Sequence, residues 1–463
     1  MALDGVNVLG HFSAVSGLQR SVVQLVRALS QAGVPTQCYD VPWGSPATPQ
    51  GIERFTRTVI HVQPEPLFDT CYIRAGLTSR PDTYRVAVWY WETEVVPPSW
   101  VEVVRRNHVR EVWVATDFLR RVLGAALPVR VLRVPPGIDL PGETSPDRAR
   151  LGWPADRYVF LHMFDMASTI ERKNPLAVIE AFRRAFGPAD RVGLVVKVMR
   201  GEFNPSGLET LRRAAAASGV VMITDALPYP EVLGMLAACD CYVSLHRGEG
   251  FGLPLAEAML AGKPVIATGY SGNMDFMTPA NSLLVPFRMT EHAAEVQWYG
   301  RGVRWAEPDV AHAAALMRWA YRNPIAAARL GARACLDVSS QYSPAMAGSR
   351  MAALLRAGDP GTARYGRRPW IDWTLDLFRE RGGRVVVEIG GIRTRGNYDG
   401  DGYSTVAWAG AAAEVFSLDI DPQAVTLTAM ETAGFGTVRA VCQDGVKFLT
   451  EFDRSLDLLY LDG

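Results

Sequence analysis

The stretch His246–Thr268, HRGEGFGLPLAEAMLAGKPVIAT, places two carboxylates around a glycine-rich turn and the start of a helix. Glu249 and Glu257 stand eight positions apart, and three glycines in the turn let backbone N–H groups approach a ligand closely. Pro254 favours a first helical turn, and Gly262 favours a left-handed cap where the helix ends. The apolar run after that cap predicts a strand. A strand–loop–helix–strand unit with its loop at a strand's carboxyl end is typical of ligand sites in open α/β sheets.

The two glutamates and the strand that follows them resemble the E-x7-E signature of retaining glycosyltransferases with the GT-B fold, in the large group called family 4. The alternative is an ordinary turn from strand to helix, in which Glu257 only favours the helix dipole. The resemblance implies an α/β protein with two Rossmann-like domains in the GT-B arrangement. It also implies a nucleotide-diphosphate sugar donor in the cleft between the domains, and no metal for the transfer step.

Composition narrows the classes of partner. The 463 residues include 48 Lys and Arg and 48 Asp and Glu, so no global basic field favours nucleic acid or an acidic membrane. The six cysteines are scattered, lack a second pair at zinc-site spacing, and suit a reducing cytoplasm. The first residues lack a signal-peptide pattern, and no run approaches about 18 apolar residues. We therefore expect a cytoplasmic protein whose membrane contact is at most peripheral, at the inner membrane face.

Alternating apolar and amphipathic runs predict successive α/β domains along the chain. Residues 1–145 are expected to form the acceptor domain. Residues 146–357 are expected to form the donor-binding domain, whose last helix returns to the first domain in the family that the chain resembles. Residues 358–368, GDPGTARYGRR, have the composition of a linker.

Residues 369–463 resemble the first half of a class I S-adenosylmethionine-dependent methyltransferase, a partial Rossmann-like domain. The sequence stops directly after the fourth predicted strand, so we expect either a truncated piece of a longer protein or a degraded last domain. The alternative is some other Rossmann unit. The resemblance assigns S-adenosylmethionine binding to strand-end residues, which are Glu388, Gly390, Gly391, Asp419, Asp444 and Asp462.

Sugar transfer from a nucleotide sugar requires that the diphosphate leaving group be neutralised. Arg172 and Lys173 lie just before a helix opened by Asn174 and Pro175, so cations and unpaired helix N–H groups point at one place. By the resemblance Lys173 is the diphosphate lysine, with a solvated charged loop as the alternative. Many relatives carry an Arg about one turn earlier, where this chain has Ser168, which can donate one hydrogen bond.

The second positive charge is therefore expected from Arg172, Lys197 or Arg247. Lys197 stands in the apolar strand VVKVM, where an unpaired ammonium is unusual. Its charge either points from the strand's end into the cleft or reaches solvent.

The resemblance assigns Glu249 to the donor sugar and Glu257 to the ribose hydroxyls. The amides of Gly250, Phe251 and Gly252 are assigned to sugar or phosphate oxygens. Two further residues have open roles, because His246 ends a strand and Asn273 follows the next one. Each is either a donor contact or a plain strand-end or turn residue.

The first domain offers two candidates. Gly17 precedes the first helix, and the resemblance brings this loop towards the diphosphate or acceptor, although a simple helix-start turn also explains the glycine. Glu92 ends a strand in VWYWETEVVPPSW, where a carboxylate can orient an acceptor hydroxyl or accept its proton. The aromatic residues Trp89, Tyr90, Trp91 and Trp100 favour core packing over stacking on a sugar.

Together these features predict a retaining glycosyltransferase that moves a sugar to a saccharide, glycoconjugate or glycolipid acceptor in polysaccharide or glycan biosynthesis. The residues predicted to act in catalysis are Glu249, Lys173 and Glu92. The tail predicts a fused methyltransferase domain. The alternatives are a non-catalytic scaffold that binds a nucleotide sugar, and a GT-B phosphorylase-like enzyme, although no lysine environment for pyridoxal phosphate is identifiable.

Overall fold

The structure, a computed structural model, describes residues 3–13, 15–42, 54–64, 68–75, 83–140, 147–292, 296, 299–358, 368–393 and 403–461. The chain divides into two compact units. The first contains residues 1–78 and 85–358, and the second contains residues 79–84 and 359–463.

The amino-terminal half of the first unit contains a parallel sheet. Its described strands and helices are β1 (Val6–Gly10), α1 (Gly17–Gln31), β2 (Thr36–Asp40), β3 (Arg57–His61), α2 (Asp69–Arg74), β4 (Tyr84–Val88), α3 (Ser99–Arg106), β5 (Glu111–Val114), α4 (Asp117–Ala126) and β6 (Arg130–Arg133). The six strands lie in the order β2-β1-β3-β4-β5-β6, with β1 parallel to β2 and β3, and β5 parallel to β4 and β6. This order reverses at β1, so the carboxyl ends of β1 and β3 border a crevice.

The second half of the unit contains another six-stranded parallel sheet. Its described elements are β7 (Tyr158–Asp165), α5 (Ile170–Lys173), α6 (Pro175–Ala185), β8 (Val192–Met199), α7 (Pro205–Ala217), β9 (Val221–Ile223), α8 (Tyr229–Ala238), β10 (Cys241–Ser244), α9 (Leu253–Leu260), β11 (Val265–Thr268), β12 (Leu283–Val285), β13 (Phe287–Glu291), β14 (Arg304–Pro308), α10 (Val310–Arg322), α11 (Pro324–Gln341) and α12 (Pro344–Ala357). The sheet order is β9-β8-β7-β10-β11-β12, and neighbouring strands are parallel. This is the strand order of a doubly wound nucleotide-binding sheet, whose order reverses between β7 and β10.

The helix predicted after the glycine-rich turn is present as α9. It begins at Leu253, with Pro254 in its first turn. Gly262 has a φ of +71°, the left-handed conformation expected just beyond the helix end. Upstream, Arg172 and Lys173 lie just before the helix that begins at Pro175, as expected, and they also close a four-residue helix, α5, that was not predicted.

An antiparallel hairpin of β13 and β14 stands outside the second sheet and was not predicted. Three buried residues of its described part, Tyr299, Val303 and Trp305, belong to the apolar cluster of the first sheet. The hairpin therefore joins the two halves of the first unit.

The last helix of the unit, α12, packs closely against α1. A β-carbon added to Gly348 of α12 would lie 1.9 Å from the carbonyl oxygen of Ala28. The two helices can approach so closely only because residue 348 has no side chain.

The second unit contains a smaller parallel sheet. Its described elements are α13 (Arg368–Glu380), β15 (Val385–Ile389), α14 (Tyr403–Ala409), β16 (Glu414–Asp419), α15 (Pro422–Glu431), β17 (Val438–Cys442), α16 (Gly445–Glu451) and β18 (Leu458–Leu461). The order is β17-β16-β15-β18, with the carboxyl ends of β15 and β18 at the reversal. The predicted α/β class is therefore present in both units.

Candidate active site

The glycine-rich loop after β10 passes directly against the segment that follows β4. A β-carbon on Gly248 would lie 2.5 Å from the carbonyl oxygen of Glu92, so a side chain at this position would push the two halves of the unit apart. Gly252 has a φ of +92°, which strains any other residue. The loop lies at the carboxyl end of β10, where the strand order of the second sheet reverses, which is the usual ligand position in such sheets.

Glu249 of this loop is paired with two cations from α5. Lys173 Nζ donates to Glu249 Oε1, and Arg172 Nη1 lies 3.4 Å from Glu249 Oε2. Arg172 also donates to the carbonyl oxygen of Gly248 at 2.8 Å. Because α5 follows β7 and Glu249 follows β10, the cluster spans the reversal point of the sheet.

The charges of the cluster are buried. Burial alone would raise the pKa of Glu249, but the neighbouring cations outweigh it, Lys173 most strongly, and lower this pKa to about 2. Burial lowers the pKa of Lys173 against the attraction of Glu249. Glu249 is therefore an ionised carboxylate at neutral pH, held by charge-assisted hydrogen bonds.

Glu92 reaches the same cluster from the first sheet. Its Oε1 lies 3.6 Å from Arg172 Nη2, and its Oε2 accepts a hydrogen bond from the hydroxyl of Tyr299 at 2.7 Å. The structure thus brings together all three residues that the sequence assigned to catalysis, Glu249, Lys173 and Glu92, with Arg172 between the two carboxylates.

Two residues next to the cluster have strained backbones. Thr169 has a φ of +63° and a ψ of +127°, and its hydroxyl accepts from the amide of Arg172. Ser271 has a φ of +73°, and its hydroxyl accepts from the amide of Glu249 at 2.8 Å. Such strain in residues other than glycine concentrates at functional sites, which is a signal that the sequence alone does not carry.

Glu257 lies fully buried in the first turns of α9 and has partners that the sequence did not indicate. The hydroxyl of Tyr229, at the start of α8, donates to Glu257 Oε1 at 2.9 Å. Arg20 of α1 forms an ion pair with Glu257 and donates to the Tyr229 hydroxyl at 2.8 Å. In the described part of the chain, Glu257 Oε2 has no hydrogen-bond partner.

His246 and Asn273 contact each other. His246 Nε2 lies 3.1 Å from Asn273 Oδ1, and His246 Nδ1 lies 3.2 Å from the hydroxyl of Ser244. Burial lowers the pKa of His246, although Glu249 opposes this shift. Asn273 is fully buried in the short 3-10 helix Ser271–Asp275 and donates to the carbonyl oxygen of Thr268, so it is more than a plain turn residue.

The three loop residues assigned to the donor by their amides lie where the loop leads into α9. They are Gly250, Phe251 and Gly252. Gly250 accepts a hydrogen bond from Thr116 at its carbonyl oxygen, at 3.0 Å. The side chain of Phe251 packs in the core at 5.1 Å from the ring of Phe276, so only its backbone is available for the predicted role. Gly252 is the residue that precedes the helix.

Lys197 takes neither of the expected positions. Its ammonium donates to the backbone carbonyl oxygens of Val198, at 3.0 Å, and Asp225, at 2.7 Å. These carbonyls compensate the burial of the charge inside the sheet. The structure gives the second cation of the cluster to Arg172 instead.

Arg247 is also held away from Glu249. It forms a bidentate ion pair with Glu307 of β14, with N–O distances of 2.6 and 3.1 Å, and donates to the carbonyl oxygen of Glu171. A cavity of about 620 Å³ lies beside it. The cavity is lined by Glu171, Arg247, Arg288, Thr290, Glu291, His292, Trp305 and Glu307.

The two remaining donor candidates lie at helix ends. Ser168 closes the 3-10 helix Met166–Ser168, just before α5. Gly17 is the first residue of α1, and Ser16 caps that helix by accepting from the amide of Gln19. A β-carbon on Gly17 would meet no atom within 4 Å among the described residues, so packing there does not require a glycine.

The second unit places its candidates at the ends of β15 and β16. Asp419 Oδ2 accepts from the amide of Gly391 at 2.9 Å and from Arg393, and Gly390 has a φ of +117°. Burial raises the pKa of Asp419, but these donors and the amide of Asp421 outweigh it and lower the pKa.

Three other candidates of the second unit have different surroundings. Glu388 is fully buried and accepts from the hydroxyls of Thr405 and Ser417. Burial raises its pKa, and the neighbouring hydroxyls oppose this shift. Asp444 caps α16, and Asp462 lies outside the described residues.

The described ranges also bear on membrane and metal sites. No helix there combines the length and hydropathy that crossing a bilayer requires. No group of three or more His, Cys, Asp or Glu side chains in the same ranges is arranged to hold a metal ion.

Residues 145–334 match the family described as Glycosyl transferases group 1. D-inositol 3-phosphate glycosyltransferase 1 of Catenulispora acidiphila is 33% identical over 170 residues, which cover 34% of this chain and 39% of the relative. The D-inositol 3-phosphate glycosyltransferase of Geodermatophilus obscurus is 36% identical over 158 residues, covering 31% of this chain and 34% of the relative. The chain thus spans about two fifths or less of these curated relatives.

Solved structures resemble the chain over a longer range. HepE of Anabaena, crystallised with UDP-glucose, covers 76% of this chain and 99% of its own, with a TM-score of 0.57 and 16% identity. Sucrose-phosphate synthase of Thermosynechococcus elongatus covers 76% of this chain and 98% of its own, with a TM-score of 0.59 and 16% identity. The predicted α/β class with parallel, Rossmann-like sheets of GT-B type is therefore confirmed.

Proposed function

We propose that the chain is a retaining glycosyltransferase that moves a sugar from a nucleotide-diphosphate sugar to a saccharide or glycoconjugate acceptor, in the synthesis of a polysaccharide or related glycan. The observation that carries the proposal is the buried cluster of Glu249, Lys173 and Arg172 at the reversal point of the second sheet, which Glu92 meets from the first sheet. The group 1 match over residues 145–334, which include the three second-sheet residues, supports it.

The cluster suits the binding of a diphosphate. Two cations and two carboxylates balance one another in the structure, so an arriving diphosphate competes with Glu249 for Lys173 and Arg172. Glu249, once it shares these cations, can accept hydrogen bonds from hydroxyls of the donor sugar. We assign Glu257 to the ribose, because one of its buried oxygens lacks a hydrogen-bond partner within the described residues.

In the transfer step, the bond from the anomeric carbon to the diphosphate breaks, and the acceptor oxygen bonds to the same face of that carbon. The acceptor proton passes to the departing diphosphate oxygen. Lys173 and Arg172 stabilise the negative charge that develops there, which is the largest expected contribution to catalysis. Glu92 accepts a hydrogen bond from the acceptor hydroxyl and orients it, and the cavity beside Arg247 offers room for the rest of the acceptor.

The experiment is donor turnover by the full chain against a panel of nucleotide-diphosphate sugars, with UDP-glucose included. Glu249→Gln and Lys173→Ala are each expected to lower turnover by about 10²- to 10³-fold, because each removes charge complementarity at the donor. Glu180→Gln on α6, a half-buried carboxylate outside the cluster, is the matched control and should retain activity. Thermal unfolding shows whether the variants remain folded. Wild-type turnover in both site variants would reject the site, and donor binding without turnover in the wild type would favour the non-catalytic scaffold.

We further propose that the second unit is the first half of an S-adenosylmethionine-dependent methyltransferase fold. The parallel order β17-β16-β15-β18 supports this, as does the contact between Asp419 and the amide of Gly391 at the strand ends. Asp419 would hold the cofactor's ribose and the Gly390–Gly391 turn its methionine part. The cofactor would supply the methyl group.

Calorimetric titration of the full chain with S-adenosylmethionine tests this assignment. Asp419→Ala is expected to weaken binding by about tenfold or more, because it removes a charged acceptor. Asp453→Ala, an exposed carboxylate in the same unit, is the control. A wild-type chain that does not bind the cofactor at millimolar concentration would contradict the assignment.

A further inference from the structure

Tyr299 belongs to the segment between β13 and β14, yet it is buried against the first sheet. Its ring lies 5.2 Å from the ring of Trp91 and 5.6 Å from that of Trp305. The side chain is 4% exposed. The hairpin thus places the phenol of Tyr299 in the apolar core of the first half, next to Glu92.

That neighbouring residue, Glu92, lies beyond the end of β4 and has no regular backbone structure to fix it. A glutamate in a loop loses side-chain entropy when it is held in one position, so a fixed carboxylate needs partners that hold it. Two groups hold it, because the Tyr299 hydroxyl donates to one carboxylate oxygen at 2.7 Å and Arg172 forms an ion pair with the other at 3.6 Å. The tyrosine contact is the shorter of the two.

We propose that Tyr299 is the positioning residue that fixes the Glu92 carboxylate against the acceptor hydroxyl. The inference rests on the proposed glycosyl transfer. Arg172 is shared with Glu249 and with the incoming diphosphate, so it becomes a weaker partner of Glu92 when the donor binds. Tyr299 has no such competing role at the donor and keeps the carboxylate in place at that moment.

The phenol is suited to donate and not to act as an acid or base. Burial raises the pKa of Tyr299 well above its ordinary value, so the hydroxyl remains protonated at neutral pH. The residue does not touch the reacting atoms in this arrangement. Its effect passes through Glu92.

The test compares the full-length wild type with Tyr299→Phe, which removes only the hydroxyl. Transfer to the acceptor is expected to fall by about tenfold in kcat, with the KM for the donor nearly unchanged, because orientation is lost and donor binding is not. Tyr321→Phe, a partly buried tyrosine of α10, is the matched control. Thermal unfolding checks that both variants are folded.

A double-mutant cycle with Glu92→Gln separates positioning from a general structural role. If Tyr299 acts through Glu92, Tyr299→Phe has little further effect in the Glu92→Gln background. Additive losses, or a wild-type rate in Tyr299→Phe, would overturn the inference while leaving the glycosyl transfer intact. A wild type that transfers no sugar from any donor of the panel would overturn the proposed function, and the inference with it.

Discussion

Arg172 stands at the centre of the charged cluster because its guanidinium can serve several acceptors at once. It contacts the carboxylates of Glu249 and Glu92 and the carbonyl oxygen of Gly248. A lysine offers a single point of charge and could not span these acceptors. The sequence indicated Arg172 only as one of three candidates for the second cation, because side-chain direction is set by the fold.

A second single residue, His162 of β7, predicts how the free energy of unfolding depends on pH. Its Nδ1 lies 2.8 Å from the carbonyl oxygen of Val243, and burial lowers its pKa from 6.5 to about 4. The unfolded chain therefore binds the proton first as the pH falls, so the free energy of unfolding decreases from pH 6.5 towards pH 4. The loss amounts to at most about 3 kcal/mol for this residue.

Urea unfolding at several pH values measures this dependence. His162→Asn is expected to flatten the decline below pH 6.5, whereas His312→Asn, at an exposed position of α10, should keep the wild-type slope. Equal slopes in the wild type and His162→Asn would show that this histidine is not buried in its neutral form.

The sequence identified most of the site residues but not all of the side chains that contact them. Glu249 and Lys173 were predicted to act together, and the structure pairs them. Tyr299 lies 207 positions from Glu92, and nothing in its local sequence marks it as a partner. Contacts of this range depend on how complete elements pack, which periodicity does not encode.

At the scale of elements, the close contact between α1 and α12 depends on one position. Gly348→Ala is expected to destabilise the protein by about 1–3 kcal/mol, because its methyl group would press on the backbone of Ala28. Gly234→Ala in α8 is the control, since a β-carbon there meets no described atom within 4 Å. That substitution should stabilise by up to about 1 kcal/mol through helix propensity.

Urea unfolding of the two glycine variants gives the comparison directly. A Gly348→Ala protein as stable as Gly234→Ala would mean that the two helices are not in close contact.

Most strands and helices of both sheets follow from apolar periodicity, but the hairpin does not. β13, FRMTE, is short and largely exposed and has only two apolar positions, so its strand character comes mainly from pairing with β14. The helix α5 was missed for a related reason. Four residues are too few to show a helical period, and its cap, Thr169, has a backbone conformation that a threonine rarely adopts.

At the scale of the whole molecule, the strand order explains why separate motifs form one site. The loops after β7 and β10 are about 80 residues apart in the chain, yet both strands border the reversal point of one sheet. A sequence can suggest alternating strands and helices, but it does not say which strands are neighbours. The same limit applies to the second unit, where the order of β15 to β18 emerged only from the structure.

Two arginines tie the halves of the first unit together, since Arg20 of α1 pairs with Glu257 of α9 and Arg172 of α5 pairs with Glu92 after β4. Separating the halves would break both ion pairs, and hydration of the four separated charges would offset part of that loss. A charged substrate that enters between them can take over those contacts one by one. Binding of such a ligand would then exchange one set of ionic partners for another, with little net change in charge pairing. The ligand would not enter an empty site.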